Sequence, residues 1–162
     1  MMKIDRRILL TFAFMLLATN AQADDHPLGT LAGQWAVDIS RLPIPVEARP
    51  KSVTIWFAEA EGGKLSTRIQ VVDPAGGVLA AESVAELNGT PVAVKGNLEA
   101  DIIAAALPVP GVLIMQLVRG GVPGSTRVYT VASDGKTMIE TGANVGDDGR
   151  PFLRTNYFSR VE

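Results

Sequence analysis

The sequence predicts an all-β protein whose antiparallel strands run up and down as a meander and close into a barrel of about eight to ten strands. The 16 Gly and 10 Pro residues cluster between short segments rich in Val, Ile, Thr and aromatic residues, which is typical of many short strands joined by tight turns. No stretch of 12 residues carries a convincing apolar stripe at helical spacing. Because short turns join antiparallel neighbours, an alternating strand–helix fold is excluded.

The turns between the predicted strands supply residues that accept a positive φ. Glu61–Lys64, Ser133–Lys136 and Asp147–Arg150 each contain the glycine that a hairpin turn favours. One segment, Leu98–Leu107, stays open between helix and strand, because its three consecutive alanines favour a helix and the prolines that follow stop it. The predicted strands are Gln34–Ile39, Ser52–Ala60, Leu65–Val72, Val78–Leu87, Asp101–Leu107, Val112–Val118, Thr126–Ala132, Thr137–Val145 and Phe152–Arg160.

Residues 1–23 are predicted to be a secretory signal peptide. Three basic residues precede an apolar stretch from Ile8 to Ala18, and Ala21-Gln22-Ala23 is a cleavage site of small residues. The alternative is a retained membrane anchor, for which this apolar stretch is short. We therefore expect one mature domain over residues 24–162, periplasmic or secreted, with no membrane span after cleavage.

Composition and charge exclude several classes of function. The signal segment holds three of the 15 basic residues and one of the 17 acidic residues, so the mature chain carries a net charge of −4. Nucleic-acid-binding proteins show a basic excess instead, so no nucleic acid is expected among the partners. The chain has no Cys and a single histidine, His26, which excludes disulfides, thiolate catalysis and multi-histidine metal sites. We expect no metal and no other cofactor, and the oligomeric state does not follow from the sequence.

Residues Ser40–Lys51 differ from the rest of the chain because three prolines hold them extended. Pro43, Pro45 and Pro50 remove backbone donors, so this stretch does not fit a central strand. It is predicted to be a loop that crosses between the first two strands. Two interpretations stay open, an inert connector and a lid over one end of the barrel.

Gly33-Gln34-Trp35, at the start of the first predicted strand, resembles the opening motif of the lipocalins and related calycin barrels. In that family the tryptophan plugs the closed end of the barrel, and an arginine near the C-terminus packs across its indole ring. The resemblance implies structural roles for Gly33, Trp35 and either Arg160 or Arg154. It also implies a lipocalin-like barrel that can hold one small ligand. The second half of the chain, with Asp134–Met138 and Thr155–Phe158, also resembles small exported bacterial proteins, which adds no activity.

Polar residues at every second position of the last strand predict a site inside the barrel. Phe152, Arg154, Asn156 and Phe158 share one strand face, and burial of the two aromatic side chains is strongly favourable, so all four are expected to point inward. A buried arginine needs an acid beside it, and Glu140 on the preceding strand is the expected partner of Arg154. The alternative is an outer face on which these charges are solvated and paired across strands.

Arg127 and Tyr129 share a face of the next strand over, so they are expected to join this cluster. Such a cluster gives an otherwise apolar cavity one anchor for a carboxylate, phenol or carbonyl. The predicted ligand-binding residues are Arg127, Tyr129, Glu140, Arg154, Asn156 and Phe158.

Three classes of function stay open, and no catalytic residue is assigned. The preferred one is an exported protein that binds or carries a small apolar or amphipathic molecule, as the barrel geometry and the resemblance imply. The second is a non-catalytic interaction or structural module of the envelope, which a filled core with an exposed apolar patch would favour. The third is an isomerase or lyase that uses Glu140, Arg154 and a tyrosine, which a deep carboxyl of raised pKa would favour.

Overall fold

A computed structural model describes residues 27–96, 98–146 and 148–162, and all the strands among them belong to one antiparallel sheet. The predicted signal peptide and His26 lie outside the described residues. Three short 3₁₀ helices are described, Gly29–Leu31, Ile39–Arg41 and Val46–Ala48. The strands are β1 (Gly33–Val37), β2 (Ser52–Ala60), β3 (Lys64–Val72), β4 (Val78–Ala85), β5 (Asn88–Ala93), β6 (Lys95–Gly96), β7 (Ile102–Val109), β8 (Val112–Arg119), β9 (Val122–Val131), β10 (Thr137–Val145) and β11 (Pro151–Arg160).

The strand order is that of a meander nearly closed into a barrel. Strands β7 to β11 follow one another across the sheet, β11 then pairs with β1, and β1 to β4 continue on the other side. The β1–β11 pair places Trp35 opposite Arg160, which joins the beginning of the described chain to its end. The predicted all-β antiparallel meander is therefore confirmed, and the barrel is compatible with a calycin-like fold.

Residues 88–96 bridge the two edges of the sheet. Strand β5 pairs with β7, whereas β6 pairs with β4 through Ala81–Gly96 and Glu82–Lys95. Gly96 has a φ of 119°, and a Cβ at this position would collide with the backbone of Ala80. Glycine therefore permits the close approach by which this segment draws the edges together.

The strand count differs from the prediction, because the described residues form eleven strands rather than eight to ten. The two unpredicted strands, β5 and β6, lie where Asn88, Gly89, Pro91 and Gly96 are typical of a loop. Strand β5 is the last in the sheet order, and its Pro91 lies beside a register shift, where a strand tolerates proline. The segment Leu98–Leu107, for which the sequence allowed a helix or a strand, forms a strand from Ile102 onward as part of β7.

The barrel has a packed end and an open end. The turns after β2 and β9 lie at the packed end, together with the largest part of the core, whose fully buried members include Leu28, Leu31, Trp35, Leu65 and Leu113. The opposite end carries the proline-rich stretch 38–51 and the turns after β3, β8 and β10. Burial is thus concentrated at one end, and the other end is where a cavity can form.

Candidate functional site

The packed end is sealed by Trp35 and Arg160. The indole Nε1 of Trp35 donates to the carbonyl of Leu31 over 2.9 Å, and the Arg160 guanidinium lies 4.1 Å from the indole ring centroid. Gly33 has a φ of 137°, and a Cβ there would collide with this guanidinium. Arg160 also donates to three backbone carbonyls, those of Gly135 (2.7 Å), Ala32 (2.8 Å) and Thr30 (2.5 Å). The arginine that covers Trp35 is therefore Arg160, the first of the two candidates.

A cavity of about 500 Å³ occupies the open half of the barrel. One wall is apolar, because alternate residues of β1 to β4 point inward from this part of the sheet. Aliphatic side chains of the stretch 38–51 cover the same space. The apolar lining consists of Val37, Leu42, Pro43, Ile44, Pro50, Val53, Ile55, Ile69, Val71, Leu79 and Leu98, with Phe158 on β11.

Aromatic residues form the floor between the cavity and the packed core. Tyr129 is buried, and its ring meets Phe57 edge-on at 5.3 Å and Phe158 at 6.4 Å between centroids. Such edge-on pairs are favourable beyond their buried area. Tyr129 and Phe158 also line the cavity, so they fix its depth.

The opposite wall is polar and is built by the cross-strand registers of β9, β10 and β11. One row places Glu140 between Tyr129 and Asn156, and the next row places Gly142 between Arg127 and Arg154. Because side chains in register on one face stand about 5 Å apart, the two rows bring these polar groups together.

Glu140 is the centre of a buried network. Its Oε1 accepts a 2.8 Å hydrogen bond from the Asn156 amide, and its Oε2 lies 3.7 Å from Nη1 of Arg127. Arg127 reaches outward to Glu99 over 2.5 Å and donates to the Ser125 hydroxyl over 3.2 Å. Glu140 is only 2% exposed and Arg127 6%, so each charge relies on the other for compensation. Arg127, rather than the predicted Arg154, is thus the ion-pair partner of Glu140.

Two buried polar atoms of the cavity wall have no partner among the described residues. They are Nε of Arg154, a donor, and Oδ1 of Asn156, an acceptor. Arg154 and Asn156 belong to the same face of β11, and both line the cavity. Buried polar atoms are nearly always hydrogen-bonded in proteins, so these two atoms are able to bond to a molecule that enters the cavity.

The pKa values of Arg127 and Tyr129 both lie above their ordinary values. Burial by itself lowers the pKa of Arg127, but Tyr129, Glu99 and Glu140 nearby outweigh this effect and raise it. Burial raises the pKa of Tyr129, Glu140 raises it further, and Arg127 partly offsets the increase. Arg127 therefore stays cationic and the Tyr129 hydroxyl stays neutral near pH 7.

All six predicted ligand-binding residues line the cavity, and five of them form the polar wall. The inward face of β11 is thus observed from Arg154 to Phe158. Phe152 departs from the prediction, because its side chain is 48% exposed. It is the second residue of β11, at the rim of the open end. A side chain on the inner face at the rim has no opposite wall to cover it.

Two charged residues of the cavity were not predicted from the sequence, Glu99 and Arg119. Glu99 lies between β6 and β7, where no alternation exists to assign a face. Arg119 is the last residue of β8, next to a Gly-Gly turn, and its Nη1 donates to the carbonyl of Leu98 over 2.6 Å. Both residues lie at or beyond the end of a strand, where the period-two pattern of side chains no longer predicts which way a side chain points.

Within the described ranges, no cluster of His, Cys, Asp or Glu has the size that a metal site requires, and no helix is long and apolar enough to cross a membrane. Comparison with known proteins gave no family model, no curated protein and no solved structure that matches the chain.

Proposed function

We propose that this chain is an exported protein that binds or carries a small, mostly apolar molecule with one oxygen-bearing polar group. The observation that carries the proposal is the amphipathic cavity, in which an aliphatic wall faces a buried polar network across the barrel. Its volume of about 500 Å³ lies within the range that small-molecule sites occupy, about 300–1,000 Å³.

The charges that line the cavity favour a guest with an acidic or strongly accepting head. Arg119, Arg127 and Arg154 are the cations of the lining, and Glu99 and Glu140 are its anions. Arg127 contacts both glutamates, whereas Arg154 lies opposite Gly142. The excess positive charge therefore lies on the side of Arg154, which an anionic or carbonyl oxygen would compensate.

The sequence motif and the packed end support a calycin-type carrier exported from the cytoplasm. Gly33, Trp35 and Arg160 combine as the lipocalin resemblance implies, and residues 1–23 have the features of a secretory signal. A small amphipathic molecule is the partner that this proposal requires. Among the three open classes, a cavity of mixed polarity favours the binding protein over a filled structural module.

Dodecanoic acid, used to displace a fluorescent fatty-acid analogue, tests the proposal. The native protein is expected to bind the acid saturably with one site. Arg154→Met should lower the affinity for dodecanoic acid about tenfold or more, because a hydrogen bond to a charged group contributes about 1.5–3 kcal/mol. Glu140→Gln should also weaken binding, because it releases the Asn156 amide and the Arg127 guanidinium from their present positions.

Arg150→Met is the matched control, because Arg150 lies in the turn before β11, outside the cavity lining, with its side chain 87% exposed. It should bind dodecanoic acid as the native protein does. Absence of saturable binding by the native protein, or equal affinity in the Arg154→Met and Arg150→Met variants, contradicts the proposal.

A further inference from the structure

We infer that the head of the guest is bifunctional: an acidic group that accepts from Arg154 and, close to it, a hydroxyl or N–H that donates to Asn156. This inference rests on the proposed function and narrows its ligand to one chemical class, acids with a donor group next to the carboxylate on an apolar tail. A plain carboxylic acid satisfies only half of the arrangement.

The orientation of the Asn156 side chain carries the first step. Its Nδ2 lies 2.8 Å from Oε1 of Glu140. A flipped amide would bring two oxygen atoms to that distance, with no proton between an ionised carboxylate and a carbonyl. Glu140 is itself held by Arg127, so the carboxylate keeps the amide in this orientation. Oδ1 of Asn156 is thereby left as an acceptor with no hydrogen-bond donor among the described residues.

Arg154 provides the complementary half. Its Nε–H is buried and has no acceptor among the described residues. The guanidinium carries a permanent charge, so it selects an oxygen with negative charge. The residue opposite it on β10 is Gly142, which has no side chain that could accept from the arginine.

The two unpartnered atoms belong to residues two apart on one face of β11, so their Cα atoms lie about 7 Å apart along the strand. Their side chains enter the same cavity. One small head group with a donor and an acceptor a few bonds apart can therefore meet both atoms. A carboxylate alone has no proton to donate, so it leaves the Asn156 oxygen buried and unsatisfied.

The aliphatic wall completes the assignment of the class. Val53, Val71 and Leu79 line the cavity from the strands opposite β11, and Leu42 and Ile44 cover it from the stretch 38–51. None of these side chains can bond a second polar group, so the donor belongs near the carboxylate and the remainder of the guest is apolar.

Four twelve-carbon acids, three of which carry a hydroxyl, test the inference on the native protein. The probes are dodecanoic acid, its 2- and 3-hydroxy derivatives, and 12-hydroxydodecanoic acid, which carries the same hydroxyl at the far end of the chain. We expect the 2- or the 3-hydroxy acid to bind about three- to tenfold more tightly than dodecanoic acid, the usual gain from one hydrogen bond. The 12-hydroxy acid should bind more weakly than dodecanoic acid, because its hydroxyl meets the aliphatic wall.

The variant Asn156→Leu removes the acceptor and fills a similar volume. It should abolish the preference for the 2- or 3-hydroxy acid, so that the ratio of its affinity to that for dodecanoic acid, both measured on the variant, falls to about one. A folded Asn156→Leu protein that keeps the preference contradicts the role of Asn156. The comparison of probes on the native protein needs no variant, so it decides the question even if this substitution prevents folding.

The outcomes separate this inference from the function on which it rests. Equal affinity of the native protein for all of the acids overturns the bifunctional head and leaves the carrier function standing. Failure of every acid to bind overturns both. Tighter binding of a hydroxy acid that disappears with Asn156→Leu supports both.

Discussion

At the scale of single residues, Trp35 and Arg160 explain why the opening glycine–x–tryptophan pattern is informative. The indole is fully buried and hydrogen-bonded, and one guanidinium covers its face while it bonds three backbone carbonyls. Gly33 leaves the space that this guanidinium occupies. Each of the three residue types is therefore required by a contact that another side chain cannot reproduce.

Trp35→Ala should lower the free energy of unfolding by about 3–5 kcal/mol, the usual loss for a buried large aromatic side chain. Urea denaturation measures this change. In a Trp56→Phe background, the remaining Trp35 fluorescence should be quenched poorly by iodide, because the indole has no exposed surface. Ready quenching together with a small loss of stability contradicts the sealed end.

Tyr129 makes the stability of the protein sensitive to alkaline pH. Burial and Glu140 raise its pKa in the folded protein, whereas a tyrosine in the unfolded chain ionises with a pKa of about 10. Its contribution is thus fully present below pH 10 and is lost as the pH rises above that value. Tyr129→Phe should reduce the decline in the free energy of unfolding between about pH 10 and 11, measured by urea denaturation at each pH. Identical declines in the native protein and the variant contradict this coupling.

Alternation along β9, β10 and β11 predicts that the polar side chains of the cavity wall point inward, but not which partners they take. Arg127, Glu140 and Asn156 are buried as the period-two pattern requires. The registers place Arg127 and Arg154 in equivalent positions, both opposite Gly142, so register does not decide which of them pairs with Glu140. The observed choice lies in the path of the side chain, since Arg127 reaches Glu140, whereas Arg154 is not in an ion pair with it.

At the scale of elements, the proline-rich stretch 38–51 acts as a cover for the cavity rather than as an inert connector. Leu42, Pro43 and Ile44 line the cavity directly. The stretch is held by the Arg41 guanidinium, 3.2 Å from the ring centroid of Tyr157 on β11, and by the Lys51 N–H, which donates to the carbonyl of Val72 over 2.8 Å.

Arg41→Met should loosen this cover and speed the exchange of a guest. A cation–π contact at a partly exposed site is worth about 0.5–1 kcal/mol, so dissociation of the fluorescent fatty-acid analogue should become about two- to fivefold faster in stopped-flow measurements. Arg68→Met is the matched control, because Arg68 stacks over Trp56 on the outer face of β2 and β3. Equal dissociation rates for the Arg41→Met and Arg68→Met variants contradict a role of this contact in guest exchange.

The elements that the sequence fails to predict are those that close the barrel. Nine strands are predicted from alternation and turn residues, with the segment of β7 left open to a helix, whereas β5 and β6 contain Pro91 and Gly96, which normally mark loops. Both residues are accommodated by tertiary position, Pro91 beside a register shift at the end of the sheet order and Gly96 against the backbone of Ala80. Local pattern carries no information about such long-range contacts.

At the scale of the whole molecule, the division into a packed end and an open end separates the core that stabilises the fold from the cavity. The fully buried side chains of Leu28 and Leu31 belong to the same hydrophobic core as Trp35, and their burial stabilises the fold. The polar network lies in the other half, where Glu140 and Arg127 are costly to bury and contribute to the barrel only while they compensate each other. Substitutions in the cavity can therefore change binding while the packed end maintains the barrel.

Titration of ¹⁵N-labelled protein with dodecanoic acid, followed by NMR, tests most directly whether the cavity takes a guest. The signals of the Arg154 Nε–H and the Asn156 side-chain amide should shift together and saturably, with backbone shifts confined to the strands and cover that line the cavity. The indole N–H of Trp35 should stay in place, because it is bonded to Leu31 at the packed end. Shifts limited to outer-face residues, or none up to the solubility of the acid, would contradict a binding cavity in this barrel.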